Sequence, residues 1–335
     1  MAELIVVNSA IIENNDIIGY NIKRAGKTVT INKNKFNEQV KNGELDLICK
    51  KKALEYLDFV VIRREDIDKV NSKTVLKFEL HTKEKLKSII NKSKIIGFEI
   101  KQVKPNLYAI VNKDSTVLIS DRPMYLTNDN LMYSDEFDEQ GLFENTSFTE
   151  INLENTELLK ASYDLMYMFR SSMELKKITF GKNFNTSNIR SLVGMFEGCI
   201  KLKEFDLENI DTSNVADMLN LFRGCESLEE LDLSSFKTSK VNNMDGMISC
   251  CYNLKHLNMS NFDFYNLLGI AGIFEESDKI EDITIGDLST LDENLFYDFF
   301  EDCVAKTIKV KNITSWVKDR LTEVFNDSDT KIEVI

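Results

Sequence analysis

Proline is nearly missing from this 335-residue chain, occurring only at Pro105 and Pro123. Proline-rich linkers and polyproline recognition segments are therefore excluded. Tryptophan occurs once and histidine twice, at His81 and His256. With two imidazoles and no CxxC spacing among six cysteines, the usual ligand pattern of a zinc site is lacking. Glycine-rich phosphate loops, HExxH and GxSxG are absent as well. No apolar run approaches the roughly 18 to 20 residues that a membrane-spanning helix requires. The opening segment Met1–Val7 carries an acid at Glu3, no basic cluster, and an apolar run too short for a secretory signal. These absences lead to the expectation of a cytoplasmic protein with no membrane partner, no cofactor and no metal.

What is present is a period. Phe169, Phe196, Phe222, Ile248, Phe274 and Phe300 recur at intervals of 26 or 27 residues. Three residues after each comes a small side chain: Ser172, Cys199, Cys225, Cys251, Ser277 and Cys303. Nine residues after the first five come Ile178, Phe205, Leu231, Leu257 and Ile283, each inside a short apolar strand pattern. A fixed period of this length means one supersecondary unit stacked on itself, because a single unit cannot bury its own apolar face. Phe169, Phe196, Phe222, Cys199, Cys225, Cys251 and Cys303 are accordingly assigned to the core. Free cysteine is a small, readily buried residue, so a column of packed thiols is preferred to redox or metal chemistry. Reduced thiols also fit a cytosolic setting. The methionines at matching positions, Met168, Met195 and Met247, and Met218 and Met244, belong to the core with Leu158 and Leu159.

One copy illustrates the unit. Thr212 and Ser213 offer hydroxyls suited to capping a helix, and Val215, Met218 and Phe222 follow at helical spacing. Gly224 supplies a left-handed stop. Leu231 and Leu233 alternate with Glu230 and Asp232, the period of a strand with one buried face. Helix, turn, strand, turn is the expected coil. Earlier in the chain, Phe143 precedes Phe169 by 26 residues and Ile151–Leu153 supplies a strand pattern, a degenerate first copy.

Met195, Phe196, Gly198, Cys199, Leu202, Phe205, Asp206, Leu207, Asp211, Thr212, Ser213, Asn214 and Val215 return one copy later, largely unchanged, through Leu221, Phe222, Gly224, Cys225, Leu228, Leu231, Asp232, Leu233, Thr238, Ser239 and Val241. This pattern resembles the leucine-rich repeat, and more closely the BspA-type repeat of bacterial and mycoplasma surface proteins, over about residues 143–310. The resemblance implies an α/β solenoid with a parallel sheet on one face and a role in binding other proteins. Near the end the pattern drifts: Phe264 and Tyr265 replace the capping pair, and the last strand is shifted by one. Asn312–Phe325 then reads as an amphipathic helix and Ile332–Ile335 as a strand, a C-terminal cap over residues 311–335.

Charge divides the chain. Residues 1–125 balance to +7, 126–162 to −8, 163–305 to −13 and 306–335 to +1. The expected domains are an α+β head (1–125), an acidic linker or N-terminal cap (126–162), the solenoid (163–310) and the cap. An acidic solenoid favours a protein partner with a basic surface and argues against nucleic acid lying along the repeats, since phosphate binding requires positive charge.

Within the head, strands are expected at Leu4–Val7, Ile17–Ile22, Thr28–Ile31, Thr74–Leu80, Ile95–Gln102, Leu107–Val111 and Thr116–Ser120, and helices at Lys33–Lys41 and Thr82–Asn91. Five of seven residues agree between Ile17–Lys23 and Ile95–Lys101, compatible with duplication of a unit over 1–60 and 74–122. Leu4, Ile5, Val6, Val7, Asn8, Gly19, Tyr20 and Gly43, before a strand at Leu45–Ile48, resemble the opening of small accessory proteins of Gram-positive phages and mobile elements. That resemblance implies a mobile-element origin and names no activity.

The stacked strands should present two outward rows: Lys177, Glu204, Glu230, His256 and Asp282, and beside them Thr179, Asp206, Asp232, Asn258 and Thr284. Either this face contacts a partner, or its polarity is what any sheet face in water carries. Neighbouring acids such as Glu229 and Glu230, or Glu275 and Glu276, point apart and form no dyad. His256 lies across the sheet from the buried cysteines. No catalytic residue is therefore assigned. The expectation is a non-enzymatic protein-binding module, in its sharper form a phage or mobile-element inhibitor of a host defence nuclease, its acids mimicking phosphate. The alternatives are a surface adhesin exported by another route and an enzyme with the head as catalytic domain.

Overall fold

The structure, a computed structural model, describes residues 3–13, 16–24, 27–41, 45–49, 59–126, 141–158, 164–326 and 328–335. The fold is of α/β type, dominated by parallel strand pairing with few helices.

A first sheet has the order β3-β2-β1-β4, with β1 (Glu3–Glu13), β2 (Asp16–Arg24), β3 (Lys27–Asn32) and β4 (Leu45–Cys49). The first three form an antiparallel meander; after α1 (Lys33–Lys41), β4 returns parallel to β1. Tyr20 and Phe36 are fully buried with ring centroids 4.4 Å apart. Further along come β5 (Val60–Ile62), α2 (Arg64–Asp68), β6 (Val75–Leu80), α3 (Lys83–Ile96), β7 (Glu99–Lys104), β8 (Leu107–Val111), β9 (Ser115–Ser120) and β10 (Met124–Leu126). Here a strand and helix precede the meander β7-β8-β9, and β9 lies parallel to β6. The second unit thus runs its topology in the opposite chain order to the first, which does not fit a simple duplication. The echoed heptapeptides also part company: Ile17–Lys23 lies in β2, whereas Ile95 and Ile96 end α3 and Gly97 caps it at φ 87°. Thr82 caps the helix start, and Leu86, Ile89 and Ile90 at helical spacing carry it through Ile96.

Head and repeats share a sheet. β11 (Glu150–Asn152) pairs parallel with β6, so one seven-stranded sheet runs β14-β13-β11-β6-β9-β8-β7, with β13 (Lys177–Thr179) and β14 (Glu204–Phe205) at its far edge. β12 (Thr156–Leu158) joins β10 and β5 in a second parallel sheet. Residues 141–158 hold the strand of the degenerate first copy expected at Ile151–Leu153, and β6 occupies a strand position ahead of it. Residues 127–140 and 159–163, including Leu159, lie outside the described residues. Buried Glu144 accepts from Arg170 Nε at 2.7 Å and Gly141 N at 2.8 Å, while Arg64 of α2 donates to the Glu144 carbonyl, tying head to stack. A fourth sheet holds β15 (Glu230–Asp232), β16 (His256–Met259), β17 (Asp282–Asp287), β18 (Thr307–Lys311) and β19 (Lys331–Val334), all parallel.

Between Asp164 and Glu281 the copies contain no helix, which corrects the expected helix in each unit. Two left-handed positions four residues apart are the reason. Tyr167, Gly194, Asn220, Gly246 and Gly272 occupy the first, and Ser171, Gly198, Gly224, Cys250 and Glu276 the second, with φ between 54 and 69°. A right-handed helix cannot run through them. Alternate amides instead reach the next copy: Met218, Asn220, Phe222 and Gly224 donate to the carbonyls of Asn243, Asp245, Met247 and Ser249 at 2.8–3.0 Å. The amides between them, at Leu221, Arg223 and Cys225, close turns onto Met218, Asn220 and Phe222 at 3.1 Å. Thr212 is likewise no helix cap. Buried Thr186, Thr212 and Thr238 donate to the carbonyls of Asp211, Lys237 and Asp263 one copy on. In the last copy only the second position, Asp302, is left-handed, and there the helix α4 (Phe296–Phe300) forms. α5 (Ser315–Val324) and β19 follow where a helix and strand were expected.

Inside the stack the rings of Phe143, Phe169, Phe196 and Phe222 lie nearly parallel, 5.3, 5.6 and 5.2 Å apart in turn. The thiols of Cys199, Cys225 and Cys251 donate to the carbonyls of Phe169, Phe196 and Phe222 at 3.1–3.3 Å. Ser172 and Ser277 do the same to Phe143 and Ile248 at 2.6 and 2.8 Å. Serine and cysteine share the column because each supplies a small donor to a buried carbonyl; those of Phe169, Phe196 and Phe222 already accept the turn amides of Ser172, Cys199 and Cys225, so the thiol fills the second acceptor site. Cys303 is only partly buried, in the copy where α4 replaces the turns. The assigned methionines and Leu158 are all buried.

Burial pushes the Cys199 and Cys251 thiols up to about 12 and that of Cys225 well above its ordinary value. Unfolded thiols ionise near 8.5, so the stabilisation these three provide is complete below that pH and is lost as pH rises toward 12, by about 1.4 kcal/mol per thiol per pH unit. Denaturant titrations from pH 7 to 11 should show this loss, and a triple Cys→Ser variant should show a shallower one. At neutral pH Cys225→Ser should keep nearly full stability. Cys225→Asp should lose on the order of 3 to 5 kcal/mol by burying an unpaired charge; an unchanged melting temperature would refute the burial.

Candidate functional site: the outward strand face

Each short strand buries its middle residue, Ile178, Leu231, Leu257 or Ile283, and so turns its neighbours outward; Phe205 in β14 is half-buried. β14 and β15 belong to different sheets, so the face is interrupted between them.

The outer row holds the expected residues, paired across copies. Lys177 Nζ lies 2.9 Å from Glu204 Oε2, and His256 Nδ1 lies 2.5 Å from Asp282 Oδ2. Hydrogen bonding to Glu204 holds the Lys177 ammonium above its ordinary range. Glu230, between these pairs, is exposed and has no ion-pair partner among the described residues.

The second row is committed elsewhere. Asp206, Asp232 and Asn258 each turn Oδ1 back onto the backbone, accepting from the amides of Glu208, Ser234 and Ser260 at 2.8, 2.9 and 3.1 Å. Hydrogen bonds from Ser234 hold the Asp232 carboxyl below its usual range. These side chains shape the turn that follows each strand, so their recurrence is explained without a ligand.

A third row escaped the sequence reading. Lys176, Lys203, Glu229, Lys255, Glu281 and Lys306 stand one residue before successive strands. Lys255 pairs with Glu229 at 2.8 Å and Lys306 with Glu281 at 3.2 Å. The hydrogen bond from Lys255 keeps the Glu229 carboxyl below its ordinary range. The signal was the same period that marks the core, but lysine before a strand looks like ordinary surface. Beside this row Lys201 pairs with Glu174 at 2.9 Å. The face therefore alternates in sign and largely neutralises itself.

For chemistry the geometry offers little. His256 is paired with Asp282 on the outer face, while the Cys199, Cys225 and Cys251 thiols point inward at carbonyls. Glu229 and Glu230 lie in different rows, and Glu276 accepts from Tyr252 at 2.9 Å. Among the described residues no group of three His, Cys, Asp or Glu is placed to hold a metal. Two shallow surface depressions of about 360 Å³ are found, one lined by Tyr297, Asp298, Phe300, Glu301 and Val324, the other by Asn188, Arg190, Asn214 and Lys240.

An α/β-type fold dominated by parallel strands, with one strand face exposed, is the class this chain shows. Residues 163–288 match a family described as "Mycoplasma protein of unknown function, DUF285". The repeat segment thus fits the mycoplasma-type resemblance seen in its residues; nothing supports the phage resemblance of the opening segment, and Gly43 there lies outside the described residues. No curated protein and no solved structure matches the chain. No helix among the described residues is long and apolar enough to cross a membrane.

The two outward rows should respond differently to truncation. Asp232→Ala removes a turn-capping hydrogen bond and should cost about 1 kcal/mol in thermal or denaturant unfolding. Glu230→Ala removes none and should leave stability within about 0.5 kcal/mol of the parent.

Proposed function

We propose that this chain is a non-enzymatic binding protein, and that residues 143–310 wind as a solenoid of leucine-rich-repeat type whose outward strand face grips another protein. The observation that carries the reading is the outer row. Lys177, Glu204, Glu230, His256 and Asp282 are fixed on strands whose other side is buried, so a partner meets side chains at regular spacing with little ordering left to complete.

The charge pattern refines the partner. Lys255 and Lys306 lie among Glu229 and Glu281, and Asp206 and Asp232 are occupied in turns. A partner with charges of both signs in a repeating order fits this face better than a uniformly basic one. The same lysines weigh against a phosphate mimic, which needs dense unpaired acid. The reading as a phage or mobile-element inhibitor of a defence nuclease therefore loses its physical motive, and surface adhesion remains as the alternative.

Affinity capture from the native host, read by mass spectrometry at low and high salt, tests the proposal when run with the parent chain and with Glu230→Lys. The variant should melt with the parent yet lose the captured protein or its salt response. A partner retained equally by both, and also by a Lys177→Glu/Asp282→Lys variant of unchanged melting temperature, would remove the strand face from the interface.

A further inference from the structure

Lysines in the repeats are matched by acids: Lys177, Lys201, Lys255 and Lys306 each lie within 3.2 Å of a glutamate in a neighbouring copy. Helix α3 in the head is built differently. Lys83, Lys85, Lys87, Lys92 and Lys94 are all exposed, Glu84 is the only acid on the helix, and none of the five has an ion-pair partner among the described residues. Among the described residues, a chain of net charge −13 thus leaves a concentrated block of positive charge on this helix without an ion-pair partner.

The same helix exposes apolar surface. Leu86 and Ser93 are buried, with Ile89 and Ile90 packed beside Leu86 against Ile110 and Ile119. At about 100° per residue, Ile95 falls diametrically opposite Leu86, while Lys83, Lys87 and Lys94 flank it on one side and Lys85 and Lys92 on the other. Ile95 is 85% exposed, Ile96 66% and Phe98 37%. Gly97 between them is left-handed, with no atom within 4 Å of the position a Cβ would take, so this tip stands clear of the rest of the fold.

We propose that α3 and its C-terminal tip form a peripheral docking surface for an anionic lipid bilayer, the lysines lying on the headgroups and Ile95, Ile96 and Phe98 entering the boundary of the acyl region. Flanking ammonium groups and protruding aliphatic side chains are the two components that interfacial binding combines. A nucleic acid fits less well, since the helix holds no arginine fork for phosphate and the tip is mainly aliphatic where base stacking needs aromatic rings. Peripheral contact of this kind requires no spanning helix.

Sedimentation of the full chain with vesicles tests this. On phosphatidylglycerol/phosphatidylcholine vesicles at low salt, partition should exceed that on phosphatidylcholine alone by about tenfold or more, and should fall steeply at about 0.5 M salt. Lys87→Glu/Lys94→Glu should abolish the preference for anionic vesicles. Ile95→Ser/Ile96→Ser should weaken partition by about tenfold without changing the melting temperature, because both side chains are already in water. Equal partition on both vesicle types would overturn the proposal, as would an Ile95→Ser/Ile96→Ser variant that binds like the parent. Retention on heparin or RNA without vesicle binding would overturn it in favour of a soluble polyanion.

Discussion

Every second amide of a turn segment is donated to the copy that follows, and the rest of the stack depends on this transfer. It requires left-handed residues at two positions per copy, because only that alternation points one amide along the stack and the next back into its own turn. Once the copies are held at hydrogen-bonding distance, the phenylalanine rings must lie face to face, and their 5.2–5.6 Å spacing is close to the separation of neighbouring strands. The phenylalanine carbonyls of this column accept a turn amide from their own copy and keep a second acceptor site facing the next. The serine and cysteine column donates into that second site, so small size alone does not account for it.

Where the stack meets the head, the cohesive elements change from repetition to singular contacts. β6 extends the parallel ladder beyond the first copy and Arg64 donates to the Glu144 carbonyl across the boundary, while on either side of it buried Asp66 is held by Lys104 and buried Glu144 by Arg170. Burying such charges carries a desolvation cost that the pairing offsets, so these pairs add little net stability while holding Arg64 and Glu144 in place on each side. Burial holds Lys104 below its ordinary range even with Asp66 beside it. The head is thereby integral to the sheet that presents Lys177 and Glu204.

Charge is handled in opposite ways at the two ends of this assembly. Along the strand face acids and lysines alternate at the repeat spacing, giving a surface with pattern but little net field, suited to a partner that can match the pattern. On α3 the charge is of one sign and unpaired, giving a field without a pattern, suited to a surface whose charges are mobile. The net acidity of the repeats conceals this division, since many of the acids responsible are already engaged with lysines or backbone amides.

The amino-acid sequence by itself determined the repeat, its core columns, most strands of the head and the positions of α1 and α3. Those features follow from local periodicity, and burial of one face leaves a 2- or 3.6-residue signature whatever the partner. Tertiary structure alone decided the rest. Val215, Met218 and Phe222 carry helical spacing, yet left-handed Asn220 and Gly224 and the demand of the next copy for amides replaced the helix with turns. Asp206 and Asp232 looked like outward binding groups until the turn beyond each strand claimed them. Glu150 gave no sign that β11 would pair with Val75 of the head, because strand partners far apart in the chain are chosen by packing and leave no local pattern to read.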